Sequence, residues 1–194
     1  MSNTEYHLPR CQWCSTDPVY QAYHDIEWGV PEYDAQRLFE KLLLDGFQAG
    51  LSWITILKKR DRYREVYRGF DPHFMANQTD EDLLNLLDDA GIIRNRLKVK
   101  GARQNAQAWL RLAEQGDPGE WLWQFVGGAP LVNHFTSISQ VPVMTAEAQA
   151  MSKALKKAGF TFVGPTICYA FMQATGMAMD HTTDCFRYPD LSGS

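Results

Sequence analysis

Cys11, Cys14 and His24 lie near the start of the chain, and His181 and Cys185 lie near its end. Thiolates and imidazoles are ligands of zinc, and four protein donors leave a zinc ion closed and structural. Such an ion would tie the two termini together. Cys11-Gln12-Trp13-Cys14 has the spacing of half a zinc finger, but no second Cys-x-x-Cys accompanies it. Spacing alone leaves Cys14 and His24 both open as the fourth ligand, and small buried cysteines with two unrelated surface histidines would give the same composition. A zinc deaminase needs His-x-Glu upstream of Pro-Cys-x-x-Cys. Here the order is reversed and His24-Asp25-Ile26-Glu27 is one residue too long, which argues against that chemistry.

A second group is aromatic. Trp13, Tyr20, Tyr23 and Trp28 crowd the first thirty residues, and Asp45 and Trp53 follow. Ring faces stack flat heterocycles and attract cations, while a carboxylate accepts their N–H donors. The combination suits a positively charged base. Asp45 is the odd residue in its setting, since Leu42, Leu43 and Leu44 precede it. It could equally be a helix-end acceptor with no ligand.

The third group is Gly159-Phe160-Thr161-Phe162-Val163-Gly164, between a helix bearing Lys153, Lys156 and Lys157 and one beginning near Thr166. Glycines permit a tight turn with exposed backbone N–H groups, and a helix start adds unpaired donors and a positive dipole end. This is a seat for a phosphate. No acidic residue occurs between Ala148 and Met179, nor between Arg94 and Arg111, where Arg96, Lys98, Lys100 and Arg103 offer a second basic stretch. Two locally basic segments are thus compatible with a net charge of -4, because phosphate affinity depends on where the charges sit.

Helices are the elements expected to position these groups. Asp34 precedes Leu38, Phe39, Leu42 and Leu43 at helical spacing, and a short apolar helix follows Gly50 through Trp53, Ile54 and Leu57. Thr79 opens an approximate capping box with Asp82, and that helix should stop near Gly91. A long basic helix is expected from Arg94 to Leu112, a helical excursion from Gly116 to Pro130, and further helices after Thr145 and from Thr166 to Ala174. The best period-two segment, Val141 to Val143, is broken by Pro142. The expected class is therefore all-α. At 194 residues with 45% hydrophobic and 22% charged residues, the chain can build its core without disulfides. No apolar run reaches membrane length, and the polar opening Met1 to His7 shows neither the basic nor the apolar region of a secretory signal, so none is expected. A cytoplasmic location with reduced thiols is expected.

Several of these blocks together resemble the DNA-3-methyladenine glycosylase I family. They are Trp13, Asp17-Pro18, Tyr20, Tyr23-His24-Asp25, Glu27-Trp28-Gly29-Val30-Pro31, Gln48-Ala49-Gly50-Leu51-Ser52-Trp53, Ala90-Gly91-Ile92-Ile93-Arg94 and Gly159-Phe160 to Gly164. The likeness runs from Cys11 to about Pro189, and the block from Tyr23 to Trp53 is the most specific part. It implies an all-α, two-lobed helix-hairpin-helix glycosylase fold over residues 11–189, with a flexible segment at 1–10 and a tail at 190–194. It also implies one structural zinc ion on Cys11, His24, His181 and Cys185, with Cys14 spare. The base pocket falls on Trp13, Tyr20, Tyr23, Trp28, Asp45 and Trp53. The turn pressed into duplex DNA falls on Gly50 and Leu51.

The implied activity is hydrolysis of the N-glycosidic bond of 3-methyladenine in double-stranded DNA. A monomer is the simplest expectation, since nothing in the sequence demands a symmetric partner. The family usually carries Glu at position 45, so Asp45 shortens the carboxylate arm. In the wider superfamily an Asp follows the hairpin, which makes Asp180 a candidate catalytic group. A strand-cutting Lys has no counterpart in Gly164-Pro165-Thr166-Ile167, which implies a monofunctional enzyme. The competing class is a zinc-stabilised protein that binds damaged DNA without cleaving it.

Overall fold

Short polar residues open the helices, and leucines and aromatics lock them together. A computed structural model describes residues 8–193. Its helices are α1 (Pro18–Ile26), α2 (Ala35–Gln48), α3 (Trp53–Leu57), α4 (Arg60–Val66), α5 (Pro72–Ala76), α6 (Asp80–Leu86), α7 (Arg96–Ala113), α8 (Pro118–Trp123), α9 (Ala146–Ala158), α10 (Pro165–Ala174) and α11 (Tyr188–Ser192). Asp17, Asp34, Asp71, Asn95, Asp117 and Thr145 accept hydrogen bonds from first-turn N–H groups of α1, α2, α5, α7, α8 and α9. These are the orphan donors that N-cap side chains satisfy. Thr79 and Asp82 form a reciprocal capping box on α6, as their spacing predicts.

The central element is α2. Its Leu38, Phe39, Leu42, Leu43, Leu44 and Phe47 are all buried, each stabilising the fold by roughly 1.5–3 kcal/mol. They pack against α3, α7, α8 and α10. A smaller cluster joins the two ends of the chain through Cys11, Tyr23, Trp28, Leu57, Ala174 and Cys185. Trp53 packs against both clusters.

The fold is mostly helical, as expected, with one small addition: Leu131–Val132 (β1) pairs in parallel with Ala178–Met179 (β2), Leu131 opposite Ala178. Two residues are too few to show an alternating pattern, yet this pairing fixes the chain just before Asp180 and His181. The α6 helix ends at Leu86 rather than near Gly91, because the Asp89 carboxylate accepts the Gly91 N–H and the Arg62 guanidinium and holds a turn instead. The basic helix starts at Arg96 rather than Arg94, where the Asn95 side chain caps it. The end of the chain, expected as a tail from 190, is helical as far as Ser192, and Leu191 lies against Gly29. The N-terminal segment expected over 1–10 falls mostly outside the described residues.

Candidate functional site

The two ends of the chain meet at a buried cluster. The ligand atoms of Cys11, His24, His181 and Cys185 lie within 4.8 Å of one another. Cys11 Sγ is 3.4 Å from His181 Nδ1, and Cys185 Sγ is 3.3 Å from His181 Nδ1 and 3.5 Å from His24 Nε2. Zinc bond lengths give tetrahedral ligand–ligand edges of roughly 3.3–3.8 Å, and these three separations fit that ion. Their orientation is fixed from outside. His24 Nδ1 bonds Asp25, itself held by Arg10, which leaves Nε2 for the cluster. His181 Nε2 bonds the Trp28 carbonyl, which leaves Nδ1. Such outer partners set the tautomer of metal-binding histidines.

The two thiols share a contact that holds Cys185 below the usual thiol range, while that contact and burial push Cys11 above it. Gly29 is required beside the cluster, because a Cβ would sit 2.9 Å from the His181 ring. Cys14 stays outside and approaches backbone carbonyls of Ser15 and Tyr20 instead.

Beside this cluster is a cavity of about 400 Å³ whose walls include Trp13, Tyr20, Tyr23, Trp28 and Trp53. Neighbouring ring centroids are 4.9 Å apart for Trp13–Trp28, 5.2 Å for Trp13–Tyr20 and 5.3 Å for Tyr23–Trp53. Ile138, Val141, Pro142 and Val143 form part of the rim, a contribution that the sequence pattern did not reveal. Asp180 is the one carboxylate among the described residues lining the cavity. Asn133 donates to its Oδ1 and Tyr169 and Gln173 donate to its Oδ2.

Asp45 departs from expectation. It is 3% exposed but is not part of the cavity wall. Lys41, one helical turn earlier, places its ammonium 3.5 Å from Asp45 Oδ1, and Asp45 Oδ2 has no hydrogen-bond partner among the described residues. Burial pushes the Asp45 carboxyl up to about 6 against the pull of Lys41. Burial likewise lowers Lys41 to about 8 against the pull of Asp45. The indole N–H groups of Trp13 and Trp53 are also buried without acceptors among the described residues. Sequence reading missed Lys41, although its i,i+4 spacing to Asp45 on an apolar helix was a usable signal.

At the end of α2 the chain turns sharply. Leu51 N–H bonds the Gln48 carbonyl at 2.7 Å and Gln48 Nε2 bonds the Leu51 carbonyl at 2.6 Å. Gly50 takes φ +77° with nothing within 4 Å of a notional Cβ, and Leu51 is exposed. Lys98, expected at a basic surface, is buried and donates to the Phe47 and Ala49 carbonyls at 2.7 Å each. It caps α2 and steadies the turn. Arg103 is engaged with Asp80 and the Gln78 carbonyl, and Arg111 lies beside Gly159. Arg94, Arg96, Lys100 and Arg111 are the exposed cations of that stretch.

The segment Gly159 to Gly164 joins α9 to α10 as a hairpin, with Gly159 at φ +100°. Its interior differs from expectation. Phe160 and Val163 are buried, and Thr161 exchanges both backbone hydrogen bonds with the Asn105 side chain. Phe160 and Thr161 therefore spend their N–H groups inside the fold, and Val163 anchors the turn through its side chain. Phe162 adopts φ +57°, and its side chain presses on Gly101 and Gly46 so closely that added Cβ atoms would lie 2.9 Å and 3.3 Å away. The hairpin thus rests on the residue next to Asp45. Gly164 begins α10 without a side-chain cap, and Lys153, Lys156 and Lys157 are exposed on α9.

Comparison with known proteins agrees with this arrangement. Residues 13–188 match the family model described as methyladenine glycosylase. The chain is 51% identical to the DNA-3-methyladenine glycosylase 1 of Escherichia coli (strain K12), covering 94% of this chain and 98% of that protein. A crystal structure of 3-methyladenine DNA glycosylase I superimposes with a TM-score of 0.92 at 49% identity, over 93% of this chain and all of the other. A Tyr-to-Phe variant of such an enzyme, solved in complex with 3-methyladenine, gives 0.90 at 35% identity, over 93% of this chain and 97% of the other.

Proposed function

The chain belongs to the methyladenine glycosylase family, and from that premise we propose that it hydrolyses the N-glycosidic bond of 3-methyladenine in alkylated DNA. The products are the free base and an abasic site. The observation that carries this reading is one aromatic cavity, walled by Trp13, Tyr20, Tyr23, Trp28 and Trp53, next to a buried carboxylate.

Methylation at N3 makes adenine a cation. That charge favours ring faces and an anion, whereas undamaged adenine gains little from either. The damaged nucleotide must first leave the stack, which is easier for a damaged base. The hairpin and Lys153, Lys156 and Lys157 hold phosphates, with first-turn N–H groups of α10 as donors. Leu51 fills the gap in the duplex. The base stacks on Trp53 and Tyr23, and Asp45 Oδ2 is the buried acceptor available for its N–H edge.

Bond breakage sends the electron pair to the base, which leaves neutral, while positive charge develops on the sugar. Water adds to that carbon and gives up a proton to solvent. Asp180, aimed by three donors at the cavity, supplies the negative charge facing the sugar. No lysine lines the cavity among the described residues, so no imine with the sugar forms and the enzyme is monofunctional.

Cys11, His24, His181 and Cys185 would hold zinc as a structural ion that ties the termini to the body. The helices divide into two lobes of one helix-hairpin-helix domain over residues 11–189, acting as a monomer in the cytoplasm. No helix among the described residues is long and apolar enough to cross a membrane.

Single-turnover release of free base from methylated duplex DNA tests the reading. Release of 3-methyladenine, with normal purines retained, is expected. Tight binding without release would support a damage-recognition protein instead.

A further inference from the structure

We propose that Lys41 is a positioning and specificity-determining residue of the base site, holding Asp45 as an anion with one oxygen free for the base. The inference rests on the function proposed above. Its ammonium touches three of the side chains assigned to base recognition. It donates to the Tyr23 hydroxyl at 2.8 Å, lies 3.4 Å from the Trp53 ring centroid, and pairs with Asp45 Oδ1 at 3.5 Å. Lys41 lines a second cavity, with Glu27, Glu40 and Arg60, and not the aromatic one. The ammonium thus holds Trp53 and Tyr23 without itself forming part of the aromatic cavity's wall.

Asp45 needs such a partner. A carboxylate buried among leucines takes up a proton unless a cation opposes it, and burial already pushes Asp45 up to about 6 with Lys41 in place. Tyr23 of α1, Glu27 at its C-cap, Glu40 of α2, Arg60 of α4 and Cys168 of α10 also bear on the pair. Arg60 is bound to Glu27, and Arg64 to Glu40. Lys41 is thus the cation left for Asp45. The pairing also fixes which oxygen is engaged, leaving Oδ2 unpartnered.

The test compares the wild type with Lys41→Met, Lys41→Gln and Lys41→Arg. Single-turnover release is measured between pH 5 and 9, and binding of free 3-methyladenine is measured by tryptophan fluorescence. The wild type should lose activity below about pH 6. Lys41→Met and Lys41→Gln should release base about tenfold more slowly at pH 7, with the acid limb moved up by about one unit or more and the loss shrinking toward pH 9. Lys41→Arg should restore both rate and limb. Gln keeps a hydrogen-bond donor without the charge, so it reads the charge should Met fail to fold. An unchanged rate and limb in a folded variant overturns the proposal, as does a uniform loss at every pH, which marks a structural role. If the wild type itself released no base, the functional reading would fail. Free-base affinity then judges Lys41 separately: an unchanged affinity in Lys41→Gln contradicts the proposal, and about a tenfold loss supports it.

Discussion

Asp45 shows how one methylene changes a site. The carboxylate, one methylene shorter than the Glu that the resemblance leads one to expect, pairs with Lys41 and is not part of the aromatic wall. Asp45→Asn should slow single-turnover release by about tenfold or more, since a charge-assisted hydrogen bond is worth roughly 1.5–3 kcal/mol. The same substitution should abolish the acid limb. The sign follows from the raised carboxyl: the active form is the anion, so activity falls as pH drops through about 6. For stability the direction is opposite. A carboxyl raised from 3.8 to about 6 favours the fold when protonated, so its contribution is full below the unfolded value and is lost as pH rises through about 6. Asp180→Asn keeps the size of the side chain while removing the charge facing the sugar. It should slow release without weakening free-base binding, measured on the same protein sample.

At the scale of elements, capping chemistry made the helices legible. Asp34, Thr79 and Thr145 open helices where their side chains predict them. The hairpin was legible as a turn, but its inside was not, because the burial of Phe160 and Val163 and the use of Asn105 depend on packing against α7. Lys98 was unreadable for the same reason, whereas the i,i+4 spacing of Lys41 to Asp45 was a signal the sequence did carry. A lysine on an amphipathic helix looks solvated until the fold brings carbonyls or rings to it. Gly101→Ala should push Phe162 and the hairpin away, since the new Cβ would lie 2.9 Å from its ring. A destabilisation of about 1–3 kcal/mol in urea unfolding is expected, with weaker DNA binding and little change in free-base binding. Replacing Lys41 with Met and Asp45 with Leu together should raise stability by about 1–4 kcal/mol, as removal of buried ion pairs often does, while activity is lost. A lower thermal midpoint would show the pair to be a net stabiliser.

The molecule as a whole is closed by its ends. One cluster of four donors links segments more than 150 residues apart, as in the contact between Cys185 and His24. Purified protein should carry one zinc ion per chain, measured by plasma emission. Cys11→Ser or Cys185→Ser should lose it together with thermal stability, whereas Cys14→Ser should keep both. Retained zinc in Cys185→Ser would remove that residue from the ligand set. The same cluster positions Trp28 and the loop carrying Trp13, so metal loss should also loosen the aromatic cavity. Base capture in that cavity is the step on which the whole scheme depends, and a crystal soaked with 3-methyladenine observes it directly. The expected result is a purine stacked on Trp53 with a ring or amino N–H within hydrogen-bond reach of Asp45 Oδ2. A base bound elsewhere, or one whose donors all turn away from Asp45, would contradict the account.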